Sequence, residues 1–385
     1  MHTWVGGAVE MSGAVRTAYG PVTGVAADGV LRYLGIPYAA TPFGPLRFAA
    51  PVPPEPWTTP LAAESFGPTA PKPRMKGRFG ELFPDPVVPG RACLNLNVWT
   101  PEEAGAAPLP VLVWLHGGAF VTGSSAVSCY DGAAFARDGV VCVSLNYRLG
   151  MEGFGYVPDA PVPANRGLLD QLFALEWVRE NIAAFGGDPA NVTLFGQSAG
   201  AMSVLTLLST GTDLFHRAIA QSGSAEIAQT VEDAALVSAE VARRLGVSFD
   251  LAGFASCAPE EVVARQDEVA EEVAGGADPA KYGPSTIASC GMAFLPVVDG
   301  ELLTQRPIEA IRAGAGGDKP LLIGTTTEEY RLFLMPSPVA QLPVPEPLIE
   351  RATAYGAPEG CYGSYAAGGT PAYPRRPRPR SRRPC

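Results

Sequence analysis

Apolar residues along this chain gather in short unbroken runs, separated by helix-length stretches in which they recur at three- and four-residue steps. PVLVWLHGG (110–118), VVCVSLNYR (140–148), NVTLFGQ (191–197), HRAIAQSGS (216–224) and PLLIGTT (320–326) each read as a strand ending in glycine or a polar turn. The runs are near-continuous rather than alternating, which predicts strands buried on both faces. Between them, RGLLDQLFALEWVRENIAAFG (166–186) sets Leu168, Leu172, Leu175, Val178 and Ile182 on one helical face and stops at Gly186 and Gly187. The region from about 229 to 275 turns helical and acidic (VEDAALVSAEVARRLG, then PEEVVARQDEVAEEVAGG), as expected of a helical insertion whose charges form a solvated face. Residues 14–57 read as a small antiparallel unit followed by a proline-punctuated loop. Alternation of strand and helix predicts the α/β class: a mostly parallel central sheet with helices on both faces and a helical insertion.

Composition adds size and charge to this picture. At 385 residues, 47% hydrophobic and 17% charged, the chain can bury a sizeable core. Its formal net charge is −10, but the last fifteen residues, PAYPRRPRPRSRRPC, carry six arginines and no acid. The preceding 370 residues therefore hold 22 basic against 38 acidic side chains and sum to −16. A body that acidic argues against nucleic-acid binding, which needs a basic face. From about Gly356 the composition shifts to glycine, alanine and tyrosine and then to proline and arginine, so the expected organisation is a domain over 1–355 and a disordered tail over 356–385.

The seven cysteines are widely spaced, with no CxxC pair and no histidine at metal-ligand spacing, so neither a disulfide framework, a metal nor another cofactor is expected. Cys142, inside VVCVSL, reads as a buried thiol acting as a small hydrophobe. The N-terminus lacks a basic segment followed by a continuous apolar stretch, and no run of about eighteen apolar residues exists. The expectation is a cytoplasmic chain that does not enter a membrane; the sequence sets no oligomeric state.

Two motifs carry chemistry. Gly196-Gln197-Ser198-Ala199-Gly200 fits G-x-S-x-G between a predicted strand and a helix-forming run, AMSVLTLLST. A serine on so sharp a turn sits in a strained backbone conformation, and the flanking glycines remove side chains that would clash. The Ala199 N–H at the following helix start suits an oxyanion. The competing reading is a glycine-rich turn with a structural serine. His116-Gly117-Gly118-Ala119-Phe120 follows PVLVWL, and its small residues let backbone N–H groups approach a developing oxyanion. Gly118 is the foremost donor, with Gly117 and Ala119 beside it; His116 reads as a loop-stabilising residue rather than a base.

With GIPYAATPFGPLRF, CLNLNVWTP, HGGAF, NYRLG, NRGLLDQLFALEWVRENIAAFGGDPANVTLFGQSAG, FHRAIAQSGS and IGTTTEE in order from about 14 to 335, the chain resembles the type-B carboxylesterases of the α/β-hydrolase fold, a group that includes cholinesterases and bacterial para-nitrobenzyl esterases. The resemblance implies Ser198 as nucleophile and Gly117, Gly118 and Ala199 as the oxyanion hole. It aligns GTTTEEY with the segment of the family acid, implying Glu329, with Glu328 as the fallback because Tyr330 stands where the family has glycine. It pairs Asp170 with Arg148 as a structural couple. The substrate it implies is a small-molecule carboxylic ester.

The chain also departs from that pattern. Gly-Arg-Ala-Cys-Leu (90–94) stands where the family often has Ser-Glu-Asp-Cys-Leu, so Arg91 replaces a glutamate expected to pair with Arg47, and two repelling arginines are expected there. Cys93 lacks the upstream cysteine of secreted relatives. The family's catalytic histidine follows the acid, whereas the histidines here are His2, His116 and His216, with none after 216. Beyond about 355 the resemblance ends, so the last strand and helices of the fold, with the catalytic histidine, are expected to be missing through truncation or a frameshift. Two functions stand against each other: a serine carboxylesterase impaired by want of a base, and a non-catalytic relative of the same fold.

Overall fold

A computed structural model describes residues 10–329, apart from 12, 76, 84, 104, 284–286, 288 and 289. The expected tail, and any strand or helix after 329, lie outside the described residues.

Among the described residues nine strands form the main sheet: β1 (Glu10–Met11), β2 (Val25–Ala27), β3 (Val30–Pro37), β4 (Asn95–Pro101), β5 (Leu109–Leu115), β6 (Val141–Leu145), β7 (Gly187–Gln197), β8 (Arg217–Gln221) and β9 (Leu321–Gly324). Their spatial order is β1-β2-β3-β4-β6-β5-β7-β8-β9. From β6 to β9 every pairing is parallel, as the unbroken apolar runs predict. From β1 to β4, and from β4 to β6, the pairings are antiparallel. The small antiparallel unit expected within 14–57 includes the hairpin β2–β3, which extends the main sheet. A second small sheet (Val15–Arg16, Pro21–Thr23, Leu61–Ala62) lies beside it in the sequence.

Both faces of the sheet are covered, because residues alternate between them along each strand. In β6, Val141, Val143 and Leu145 join the large core with Leu168, Leu175 and Trp177 of helix α1 (Arg166–Asn181). Cys142, between them, joins Trp99 of β4 and Ala136 of the short helix Ala133–Arg137 on the other face. Burial pushes the Cys142 thiol up to about 12, so it packs as an uncharged hydrophobe. Helix α1 ends in a 3₁₀ turn closed by Gly186 at φ 82°, where the sequence predicts the stop. Helix α2 (Ala199–Ser209) packs on β7 and β8. The insertion consists of α3 (Val231–Leu245), a short helix Leu251–Ser256 and α4 (Pro259–Gly276). Thr230 caps α3, accepting from the Asp233 N–H at 3.2 Å.

The arginine repulsion expected at Arg47 and Arg91 does not occur. Arg47 Nε and Nη2 donate to Glu152 Oε1 at 2.9 and 2.6 Å, and its Nη1 reaches the carbonyls of Phe254 and Cys257. Arg91 turns outward to Glu260 at 2.9 Å and lies 5.4 Å over the Phe43 ring. Each cation has its own carboxylate, supplied from 105 and 169 residues away. The couple Arg148–Asp170 is bidentate at 2.8 and 2.7 Å and fully buried, and Asp170 also accepts from the Arg148 N–H at 3.0 Å. Asp170 therefore tethers the end of β6 to α1. Among the described residues, no helix is long and apolar enough to cross a membrane.

Candidate active site

Four parallel strands end side by side, and the residues after each end carry the motifs. His116 and Gly117 follow β5, Ser198 follows β7, Ser222 follows β8, and the turn 325–329 follows β9. Register fixes this alignment: Leu115 opposes Gly196, Gln197 opposes Gln221, and Gln221 opposes Gly324. The Ser198 N–H donates to Gln221 O at 3.0 Å, and the Ser222 N–H donates to Gly324 O at 2.8 Å.

Ser198 stands at φ 57°, ψ −125°, a strained conformation for a residue with a side chain. The surrounding structure holds it there. A Cβ at Gly200 would lie 2.0 Å from Leu115 O, and one at Gly196 would lie 2.6 Å from Gly200 C, so the turn can close only with glycine at both positions. Met202 N–H donates to Ser198 O at 2.9 Å and starts α2 directly behind the serine. Ala199 is fully buried at the first position of that helix, whereas Ser198 is partly open to solvent.

The loop after β5 lies against this turn. A Cβ on Gly117 would fall 3.1 Å from Ser198 Cβ and 2.8 Å from Gln197 O. Gly118, Ala119 and Phe120 all have positive φ (120°, 52° and 61°), and Val121 and Thr122 N–H groups fold back onto Gly118 O at 3.0 and 2.9 Å. Among the described residues, no group accepts from the N–H of Gly117, Gly118 or Ala119. Gly117, Gly118, Ala199 and Ser198 are thus brought together.

Neither described histidine is set as a base for Ser198. His116 is buried, stacked on Tyr147 at 4.4 Å, with Nδ1 2.8 Å from Gly117 O, a contact that requires Nδ1 to carry the proton and donate. Burial lowers its pKa to about 4, so it is a neutral strut under the loop. Tyr147 completes the support by donating to His116 O at 2.7 Å. His216 pairs with Val192, accepting from its N–H at Nδ1 at 3.2 Å. Val192 lies six residues before Ser198 on β7, about 20 Å away at a strand's rise.

Glu329 is partly buried and Glu328 exposed. Glu329 Oε1 accepts from the Thr326 N–H at 2.6 Å. A hydrogen bond from the Ser222 hydroxyl and that backbone N–H hold its carboxyl below the usual range. Ser222, at φ 54°, is the site residue that reading the sequence overlooked; its place in AQSGS directly after a strand was the available signal.

The sequence model of the carboxylesterase family matches residues 11–343. The chain belongs to the carboxylesterase family. It is 40% identical over 332 residues to the para-nitrobenzyl esterase of Bacillus subtilis (strain 168), covering 84% of this chain and 64% of that relative. The chain therefore spans less than two thirds of the length of this curated carboxylesterase. A solved para-nitrobenzyl (PNB) esterase is similar with a TM-score of 0.75 at 38% identity, covering 88% of this chain and 68% of that one. The Geobacillus stearothermophilus carboxylesterase EST55 at pH 6.2 is similar with a TM-score of 0.79 at 38% identity, covering 94% and 71%. The fold is that of the α/β-hydrolase carboxylesterases, with a mixed sheet and helices on both faces.

Proposed function

We propose that the chain acts on small-molecule carboxylic esters through an acyl-enzyme on Ser198. The observation that carries this reading is the strained Ser198 turn at the start of α2, with the Gly117–Gly118 backbone against it. Ser198 Oγ attacks the ester carbonyl carbon, its hydroxyl proton passes to solvent water, and the carbonyl electron pair moves onto oxygen. The N–H groups of Gly117, Gly118 and Ala199 meet that oxyanion in a site where no reorganisation is needed. Collapse of the intermediate breaks the carbon–alkoxy bond, the leaving oxygen takes a proton from solvent and departs as the alcohol, and water then hydrolyses the acyl-serine to the acid and free Ser198. Glu329, anionic at neutral pH, is the acid that would orient an imidazole.

A serine hydroxyl reacts poorly until a base takes its proton, and neither described histidine reaches it. Turnover by this chain is therefore slow, at about 10³–10⁴-fold over water, the residue that an oxyanion hole and binding sustain without a complete triad. Deacylation needs the same base, so the acyl-enzyme accumulates. Incubation with para-nitrophenyl acetate, followed by mass spectrometry of peptides, tests this: an acetyl group is expected on the peptide holding Ser198 and absent from Ser198→Ala. No adduct together with no Ser198-dependent release of nitrophenol would leave a non-catalytic member of the family as the better description.

A further inference from the structure

The loop that lies against Ser198 is gripped by a buried ion pair from a distant part of the chain. Lys72, whose side chain is fully buried, pairs with Asp85 and also donates from Nζ to Gly123 O at 3.0 Å. The other carboxylate oxygen of Asp85 accepts from the Gly123 N–H at 2.9 Å, and Ser124 Oγ reaches Asp85 at 3.4 Å. Both backbone groups of Gly123 are thus held by one side-chain pair. Gly123 is in turn pressed onto the start of the loop. A Cβ there would lie 2.2 Å from Gly117 O and 2.6 Å from His116 Nδ1, and its φ of 92° also demands glycine.

We propose that Lys72 and Asp85 are positioning residues, an internal clamp on Gly123 that sets the Gly117–Ala119 N–H groups at the distance from Ser198 that oxyanion binding requires. The inference rests on the reading of Ser198 and its oxyanion hole given above. Burial favours the uncharged form of Lys72, while Asp85 favours the charged one. A lysine held this way gains little net stability from its partner, since desolvation offsets the attraction. What the pair supplies is geometry: two charge-assisted contacts, to the N–H and the carbonyl on either side of the Gly123 Cα, which a neutral apolar pair cannot make. Phe120 is tied separately, its carbonyl accepting from the Gly150 N–H at 2.7 Å, and Ser125 N–H donates to Asn146 Oδ1 at 2.8 Å. Between those two anchors, Gly123 itself is held by Lys72 and Asp85.

The variants Lys72→Met, Asp85→Asn and the double Lys72→Met/Asp85→Leu test the clamp. The singles leave one charge buried and alone and are expected to lose stability; the double leaves none and is expected to fold near the original stability. In the double variant, amide hydrogen exchange across 116–124 is expected to rise at least about tenfold while exchange across 193–209 stays unchanged. The rate of Ser198 acetylation by para-nitrophenyl acetate falls on the order of 100-fold with the half-saturating ester concentration unchanged, as a misplaced oxyanion donor predicts. Unchanged exchange across 116–124 in the double variant overturns the clamp. Raised exchange with an unchanged acetylation rate overturns its role in positioning. The Ser198→Ala control keeps the two readings apart. Loss of Ser198 dependence refutes the proposed chemistry, and the exchange data then decide the clamp alone.

Discussion

The Ser198 side of the site rests on β5 and β7, where Leu115, Val192 and Leu194 are buried, whereas Glu329 follows β9, an edge strand of the described sheet in which Leu321, Leu322 and Ile323 are 40%, 65% and 56% exposed. The proposed nucleophile Ser198 and its proposed oxyanion donors are locked by backbone: two glycine contacts, one strained serine and a helix start. Glu329, the proposed acid, is held by side-chain and backbone hydrogen bonds from Ser222 and Thr326 on a turn open to solvent. One part of the site is therefore built into the core, and the other depends on what packs over a strand edge. This difference explains how the Ser198 turn can stand assembled while Glu329 has no imidazole beside it among the described residues.

The comparison is sharpened most by truncating one leucine in each region. Leu194→Ala empties a fully buried position in β7 and is expected to cost about 2–5 kcal/mol. Leu322→Ala in β9 removes a side chain that is 65% exposed and is expected to change stability by no more than about 0.5 kcal/mol. Urea denaturation read by intrinsic fluorescence measures both. Equal losses would mean that β9 is as deeply built into the core as β7.

Acid separates the two regions next. His116 has a folded pKa of about 4 against an ordinary value of 6.5, so the unfolded chain takes its proton first as pH falls. Its contribution is complete above pH 6.5 and is lost down to about pH 4, amounting to about 2 kcal/mol between pH 7 and pH 5. Glu329, held below its ordinary 4.5, also loses stability on acidification, but only under that pH and weakly, because it is near solvent. Denaturation at pH 7 and pH 5 should therefore show a loss that His116→Asn removes and Glu329→Gln does not. A loss that survives in His116→Asn would mean that another group titrates in that window.

The same contrast governs what the sequence could disclose. Gly196, Ser198, Gly200 and the Gly117–Gly118 pair are recognisable because local sterics demand those residues at those backbone angles, and such demands are written within a few positions of each other. The parallel strands β5 to β9 were legible as unbroken apolar runs. Of the antiparallel half only the unit within 14–57, the pair β2–β3, was legible; β1 is two residues long and carries no period of its own. Apart from Arg148–Asp170, which the family resemblance implied, side-chain pairings across the fold were hidden. Nothing in the sequence linked Glu152 to Arg47, and the expected clash with Arg91 followed from carrying over one partner of a pair whose other partner had moved. Lys72 and Asp85 act on Gly123 from 51 and 38 residues away, and Ser222 meets Glu329 only through the alignment of β8 with β9.

We propose Ser198 as a nucleophile beside an assembled oxyanion hole, with neither described histidine placed to activate it. The rate of para-nitrophenyl acetate hydrolysis by this chain, less that of Ser198→Ala, measured with and without added imidazole, tests it most directly. A small Ser198-dependent rate that imidazole raises by supplying the base is expected. A rate that is already fast without imidazole and unmoved by it, or one identical in Ser198→Ala, would overturn this reading of Ser198.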